Sequence, residues 1–389
     1  MFKPRSRYSN AKTTKVTTIW QKTSTVILEI IRIVLGAVFL FSGFVKAIDP
    51  LGSTYKIQDY LTSFGESFVV FHPAALPAAV ALSTLELLVG FCFLFKIKLK
   101  TTSIVALIFM SVMLPLTLYI ALNNPVTDCG CFGDALVLSN WNTFYKNVAL
   151  FVMILLTLTY HKKMRNLFLP GVEWSLILVF VVAGVGLSGY SYRHLPMMDF
   201  RPYKIGVNIP EAMKTPQGMP ADKYDTKLIY EREGVKKEFT IDNYPKDSTW
   251  TFVEQKTILV SKGYEPPIHN FEIIDEQGNN ITDDVMHYQG NTYLVIMYDL
   301  TKSVSKGADK AELLFDKTNS NEDRFYALTS ASDRDIEKFK RETGISFSFY
   351  KTDPITLKTI IRSNPGFVKI KDGVITGKWA WRDFDAGNE

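Results

Sequence analysis

Five long apolar runs fill the first half of the chain, whereas the second half alternates short apolar runs with polar turns. A helix that crosses the hydrocarbon core of a bilayer needs about 20 mostly apolar residues. The pattern therefore predicts five membrane-spanning helices followed by a region outside the membrane. The predicted spans are 26–45, 73–95, 101–122, 141–160 and 174–192.

Lysine and arginine are concentrated in every second segment between the spans, at 3–22, 96–100 and 162–165. Positive residues near span ends stay on the cytoplasmic side. We therefore predict a multi-pass protein of the cytoplasmic (inner) membrane, with a cytoplasmic N-terminus (1–23) and an extracytoplasmic C-terminal domain. The first span is expected to remain as an anchor and not to be cleaved as a signal peptide.

The formal net charge of +5 is explained largely by these basic loops, so we expect the lipid bilayer as a partner and no nucleic acid.

The segment 49–72, between the first two spans, mixes aromatic and aliphatic residues with charged ones. It predicts a short amphipathic helix at the outer surface. A solvent-exposed connector is the alternative.

Ionisable residues inside the spans are costly, so each needs a partner or a function. Glu86 and Arg32 are predicted at similar depths in two antiparallel helices, and we expect them to pair. Glu29, one turn from Arg32, is predicted as its second partner. The group is either a structural ion pair that fixes helix register or a contact for a proton or a quinone headgroup.

Lys46 closes the first span at the predicted outer surface. It is either a lysine whose ammonium reaches the headgroup region or a cation that favours thiolate at the nearby cysteines. Gly36 and Gly43, one heptad apart, would let a neighbouring helix approach closely.

Cys129 and Cys131 lie one glycine apart in the loop between the third and fourth spans. Gly130 allows the turn that brings the two Cβ atoms together. Three interpretations remain open: a dithiol that undergoes exchange, a permanent disulfide that pins the loop, and a metal site. Two thiolates fall short of the usual four Cys or His ligands, so we predict no metal. Cys92 is expected to be a small apolar helix residue.

The segments 32–36, 41–46 and 86–90 resemble the DoxX superfamily, and the loop 129–133 is similar to that of its methylamine-utilisation MauE branch. The resemblance covers roughly 28–160. It implies a four-helix membrane bundle (24–165), here with a fifth transmembrane helix (170–193), and a role in electron transfer or disulfide formation outside the membrane. No cofactor is evident, and a quinone follows from the resemblance alone.

Beyond the spans, the sequence predicts a β-rich spacer (194–265) and an α/β domain (266–389) in which strands alternate with helices. The order of elements in the second part resembles the thioredoxin fold, and Pro365 matches the position of that family's cis-proline. Where the family has Cys-x-x-Cys, residues 300–304 are Leu-Thr-Lys-Ser-Val, and the chain has no cysteine after Cys131. Pro365 is predicted to shape an edge that binds an extended polypeptide.

Two functions follow. In the first, the cysteine pair handles electrons or disulfides with a separate thiol-bearing partner, which would make the protein an oxidoreductase if it is an enzyme. In the second, the protein is a non-catalytic assembly module whose thioredoxin-like domain binds other envelope proteins.

Overall fold

The structure is a computed structural model. It describes residues 8–126, 128–164, 167–220, 223–232, 234–240, 243–245, 249–261, 263–303 and 305–387. The N-terminal part is helical, with α1 (Tyr8–Ile48), α2 (Pro50–Ser63), α3 (Ala75–Leu94), α4 (Leu99–Asn123), α5 (Asn140–Tyr160) and α6 (Pro170–Arg193).

Among the described residues, five helical segments are long and apolar enough to cross a membrane, so the chain is a multi-pass membrane protein. They contain the five predicted spans almost whole. The segments are Ser24–Ile48, Glu66–Leu94, Leu99–Asn123, Asn140–Lys163 and Pro170–Arg193.

Helices α1 and α3 form the tightest crossing of the bundle, because glycines bring their backbones together. A Cβ at Gly43 would meet the backbone of Leu87, and a Cβ at Gly90 would meet the backbone of Leu40. Gly36 likewise lies against Leu94. The predicted role of Gly36 and Gly43 in close helix approach is confirmed. These contacts fix the antiparallel register of the two helices.

Helix α2 covers one end of the bundle, between α1 and α3. Asp49 caps its first turn, where the carboxylate accepts a hydrogen bond from the Gly52 amide at 2.9 Å. A 3-10 helix, Glu66–Ala74, then leads into α3. The predicted amphipathic segment is thus two helical pieces, and the first piece packs on the loop that carries the two neighbouring cysteines.

The C-terminal part contains two sheets and short helices. Its elements in chain order are α7 (Ile209–Met213), β1 (Lys223–Arg232), β2 (Val235–Thr240), β3 (Thr251–Ser261), α8 (Thr282–Met286), β4 (Asn291–Ile296), α9 (Ser305–Asn319), β5 (Arg324–Thr329), α10 (Asp333–Thr343), β6 (Phe349–Lys351), α11 (Pro354–Ile360), β7 (Gly366–Lys371) and β8 (Val374–Ala380).

The larger sheet has the strand order β6-β5-β4-β7-β8, with β4, β5 and β6 parallel and β7 and β8 antiparallel to their neighbours. Apolar residues cover both of its faces. The predicted α/β alternation is confirmed from β4 onward. Ahead of β4, Ile274 forms only isolated bridges with Asn280 and Lys351.

The segment that the sequence predicts as one spacer, 194–265, has two parts. Tyr203 and Ile209 are buried in the core of the α/β domain, so the first part belongs to that domain. Strands β1 to β3 form a separate sheet of order β2-β1-β3, in which β1 and β2 make a hairpin.

Candidate functional site

The two cysteines lie in a short loop between α4 and α5, here named the dicysteine loop (128–134). Gly130 has φ +64°, a left-handed conformation that side chains rarely adopt, and it turns the chain between the two cysteines. The two Sγ atoms are 3.3 Å apart. Glycine between the cysteines therefore brings the sulfurs together, as the sequence predicts.

Helices α1 and α2 hold the backbone of the dicysteine loop from two sides. The Tyr60 hydroxyl donates to the Cys129 carbonyl at 2.6 Å, and the Ser42 hydroxyl donates to the Cys131 carbonyl at 2.7 Å. Lys56 pairs with Asp128 at 2.8 Å. These contacts fix the direction in which the sulfurs point.

The two thiols differ in acidity. A hydrogen bond from Cys129 lowers the pKa of Cys131, burial opposes this, and the positive charges of Lys146 and Lys46 lower the pKa further. The same hydrogen bond and burial raise the pKa of Cys129. The surroundings therefore favour thiolate at Cys131 over thiolate at Cys129, and thiolate is the form that reacts in thiol exchange.

Lys146 is a further candidate residue of this site, and the sequence did not point to it. It lies in α5, inside a predicted span, and its ammonium is 4.4 Å from the centre of the Phe132 ring in the dicysteine loop. The available signal was a lysine among the first residues of an apolar run, about two turns inside the predicted span.

The predicted Arg32–Glu86 pair is wrong. Glu86 pairs with Lys46, at 2.7 Å, and both side chains are buried. The α1–α3 glycine contacts shift the register, so Arg32 lies opposite the end of α3, roughly 10 Å beyond Glu86 along that helix. There its guanidinium donates to the Phe93 and Leu94 carbonyls.

The second predicted partner of Arg32 is confirmed, because Glu29 pairs with it at 2.9 Å. Lys46 is buried and does not extend to the surface. Its ammonium donates to Ser42 Oγ at 2.8 Å as well as to Glu86. Lys46 is therefore near Cys131, as predicted, but Glu86 offsets much of its charge.

A cavity of about 220 Å³ lies inside the bundle directly behind the dicysteine loop. Cys129, Cys131, Lys46 and Glu86 contribute to its wall, which is otherwise mostly apolar. The apolar lining includes Val38, Phe39, Ile57, Leu82, Phe109, Met110, Met113 and Leu150. Both cysteines therefore border a small apolar space between the helices.

A second cavity, a cleft of about 490 Å³, lies between the bundle and the α/β domain. Gly130 and Lys56 line both cavities, so the turn of the dicysteine loop and α2 form the wall between them. Charged residues of both signs line the cleft, among them Asp49, Asp134 and Arg362. Within the part of the chain that the structure describes, no three His, Cys, Asp or Glu side chains form a metal-binding group.

Pro365 follows a cis peptide bond, at the position that the resemblance indicates. Strand β7 itself is not an open edge, and the role of Pro365 in binding an extended polypeptide stays a prediction. Pro365 is buried against Gly307 of α9, and the strand that it precedes, β7, lies between β4 and β8. A strand already paired on both sides leaves no backbone groups for an added peptide.

Comparison with known proteins bears on two regions of the chain. Residues 24–160 match the family model described as methylamine utilisation protein MauE. Residues 224–262, which include most of the small sheet, match a domain of unknown function (DUF8463). No curated protein matches the chain.

Proposed function

We propose that this membrane protein, whose helical region is of the MauE family, cycles Cys129 and Cys131 between dithiol and disulfide on the outer face of the cytoplasmic membrane. One observation carries the proposal: the sulfurs are 3.3 Å apart at the wall of an apolar intramembrane cavity. The lowered pKa of Cys131 supports it, because thiolate is the nucleophile in thiol exchange.

The outer location is supported by the distribution of basic residues. The described ends of the helices opposite the dicysteine loop carry Lys96, Lys98 and Lys163, which the positive-inside rule assigns to the cytoplasm. The dicysteine loop and the α/β domain then lie outside, where disulfides persist.

The electron acceptor that fits this cavity is a membrane-soluble quinone. The apolar wall suits a ring, and Lys46 and Asn147 are polar groups on the same wall. As the disulfide forms, two electrons leave the sulfurs with the one proton that Cys129 carries, because Cys131 reacts as a thiolate. A quinone that takes up the two electrons, that proton and one more proton from water becomes a quinol. The protein's own residues position the pair: Ser42 and Tyr60 hold the backbone of the cysteines, and Lys146 stabilises the thiolate.

The cysteine pair then needs a separate thiol-bearing protein as its substrate. The strand order of the larger sheet supports a thioredoxin-like fold for the C-terminal domain. That domain has no cysteine, so it does not exchange thiols itself. At position 303, near the usual place of the second cysteine, the Ser303 hydroxyl bonds to the Asp299 carbonyl and to Asn364.

Thiol trapping in living cells tests the proposal. Cells that express Cys92→Ser protein are quenched with acid and alkylated, so that alkylation reports only the redox state of Cys129 and Cys131. We expect a mixture of oxidised and reduced protein that shifts to the reduced form when quinone synthesis is blocked. We also expect Cys129→Ser or Cys131→Ser to accumulate mixed disulfides with another protein. A pair that stays in one state under both conditions, with no mixed disulfide, would contradict the proposal.

The small sheet favours a second candidate function, the binding of envelope polypeptides. Its order β2-β1-β3 leaves β2 and β3 as edge strands, and Val235, Phe252 and Val253 are exposed on them. Open edges accept an additional strand. If this is the function, Val235→Lys with Phe252→Lys should abolish co-purification of partners that Cys129→Ser retains. Retention of every partner by the double variant would exclude it.

A further inference from the structure

Arg362 joins the C-terminal domain to both elements that hold the cysteines. It follows α11 in the α/β domain, yet its Nε is 3.0 Å from the Asp49 carboxylate, which caps α2. Its Nη2 atom is 3.3 Å from Asp134 in the dicysteine loop. One guanidinium thus connects three parts of the chain.

This contact is buried, which distinguishes it from an incidental surface pair. The Arg362 side chain is 8% exposed, and its third nitrogen donates to the Lys358 carbonyl at 2.6 Å. A buried guanidinium is strongly unfavourable without its carboxylate partners. The planar group also suits two acceptors at once, which a lysine ammonium matches poorly.

Aromatic contacts extend the same interface. Tyr55 of α2 interacts with Tyr298, which follows β4 in the α/β domain. The Arg362 guanidinium lies 5.5 Å from the centre of the Tyr55 ring, and the Lys358 ammonium lies 4.9 Å from it. The α/β domain therefore packs on α2 through polar and aromatic groups together.

Helix α2 transmits this contact to the cysteines. On the next turns of α2, Lys56 holds Asp128 and Tyr60 holds the Cys129 carbonyl. The domain therefore acts on the dicysteine loop by two routes, directly through Asp134 and indirectly through α2.

We propose that the α/β domain is an intramolecular clamp and that Arg362 is a positioning residue for the cysteine pair. The clamp keeps the sulfurs facing the intramembrane cavity and restricts their exposure to the cleft. This deepens the proposed function, because it assigns a control element to the same dithiol. It also gives a cysteine-free domain a task that needs no thiol of its own.

Alkylation kinetics of the full-length protein test the clamp. The Cys92→Ser protein is reduced in detergent, and the remaining thiols react with a bulky, water-soluble maleimide over a range of pH. We expect Asp134→Asn to raise the rate by about tenfold, the effect of weakening one charge-assisted hydrogen bond. Arg362→Ala should raise it by at least as much, because it removes the contacts to Asp49, Asp134 and the Lys358 carbonyl. The pH of half-maximal rate should also change, because the loop moves relative to Lys146.

Two further variants show whether a change in alkylation rate is specific to the Arg362 contacts. Arg362→Lys keeps the charge but not the planar group, so it should lie between wild type and Arg362→Ala. Arg324→Ala is the matched control, because Arg324 stacks on Tyr288 in the same domain at a distance from the bundle. It should leave the rate unchanged.

Unchanged rates and pH profiles in both Arg362→Ala and Asp134→Asn would overturn the clamp. Because Asp134 lies in the loop, its variant leaves the α/β domain intact and answers the question even if Arg362→Ala unfolds that domain. The assay uses chemically reduced protein, so it is independent of redox cycling in cells. If the Arg362 and Asp134 variants change the alkylation rate but the cysteine pair does not cycle in cells, the clamp stands and only the proposed function is rejected.

Discussion

At the scale of single residues, the chemistry of the site depends on which cation faces which anion. Lys46 and Glu86 are paired inside the bundle, so Lys146 is the larger cationic influence on Cys131. Its place on the first turns of α5 puts a positive charge beside the dicysteine loop.

Lys146→Gln should raise the pH at which Cys131 is half-maximally alkylated by roughly 0.5 to 1. The sign follows from the pKa of Cys131, which lies below that of an ordinary thiol. Removing a cation disfavours thiolate, so a higher pH is needed to form it. Small-molecule alkylation followed by mass spectrometry measures the profile. Lys146→Arg should keep the low value, and Lys100→Gln, in the first turn of α4, should have no effect.

The buried Lys46–Glu86 pair should respond unequally to single and double substitution. Glu86→Gln leaves a buried ammonium without its counter-ion and should cost about 3–5 kcal/mol of stability. Lys46→Met with Glu86→Leu removes both charges and should cost less. Denaturant unfolding in micelles measures this difference. Glu29→Gln is the comparison, because Glu29 is 26% exposed and its loss should cost less than that of Glu86. Equal losses in the single and double variants would contradict the argument.

The sequence identified the charged residues but not their pairing. Counting residues inward from the end of each helix placed Glu86 at the same membrane depth as Arg32. That count was wrong by about two helical turns, so Glu86 lies opposite Lys46 and Arg32 lies opposite Phe93 and Leu94. Only the α1–α3 glycine contacts define that register, and these depend on tertiary packing. The Glu29–Arg32 pair was predictable because both residues lie on one helix, three positions apart.

At the scale of elements, the α1–α3 crossing fixes the geometry behind the cysteines. Gly90→Leu would place a side chain against the backbone of Leu40, where no rotamer change relieves the overlap. We expect a loss of about 1–3 kcal/mol or more, together with a slower reaction of Cys131 because Lys46 and Ser42 move. Unfolding in micelles and alkylation rates measure the two effects.

Gly186→Leu is the control for this prediction. Gly186 lies in α6, and a Cβ built there meets no atom within 4 Å. The substitution should therefore change neither stability nor reactivity. If both leucine variants behave alike, the crossing does not determine the site.

Element boundaries followed well from periodicity wherever a run was long or strongly patterned. The five spans needed changes of only a few residues, and the predicted alternation of strands and helices is found from β4 to β8. The segment around Tyr203 and Ile209 was not assigned to the α/β domain, because short irregular stretches carry no periodic signal. Their burial depends on a core formed by residues much later in the chain.

At the scale of the whole molecule, the arrangement places the cysteine pair between an intramembrane cavity and a charged cleft. The sequence predicted the two regions and the missing Cys-x-x-Cys, but it gave no sign of the contact between them. Arg362 and Asp49 are 313 residues apart, and neither lies in a motif. Such a contact is defined only when both domains are folded.

The proposed orientation makes a prediction for the entire chain. In a protein without native cysteines, Lys338→Cys on exposed α10 should react with a membrane-impermeant maleimide in intact cells. Lys163→Cys, at the opposite end of the bundle from the dicysteine loop, should react only after the membrane is opened. Gel-shift labelling before and after permeabilisation distinguishes the two sides. The reverse labelling pattern would place the cysteine pair in the cytoplasm, where reducing conditions would remove the basis for a stable disulfide.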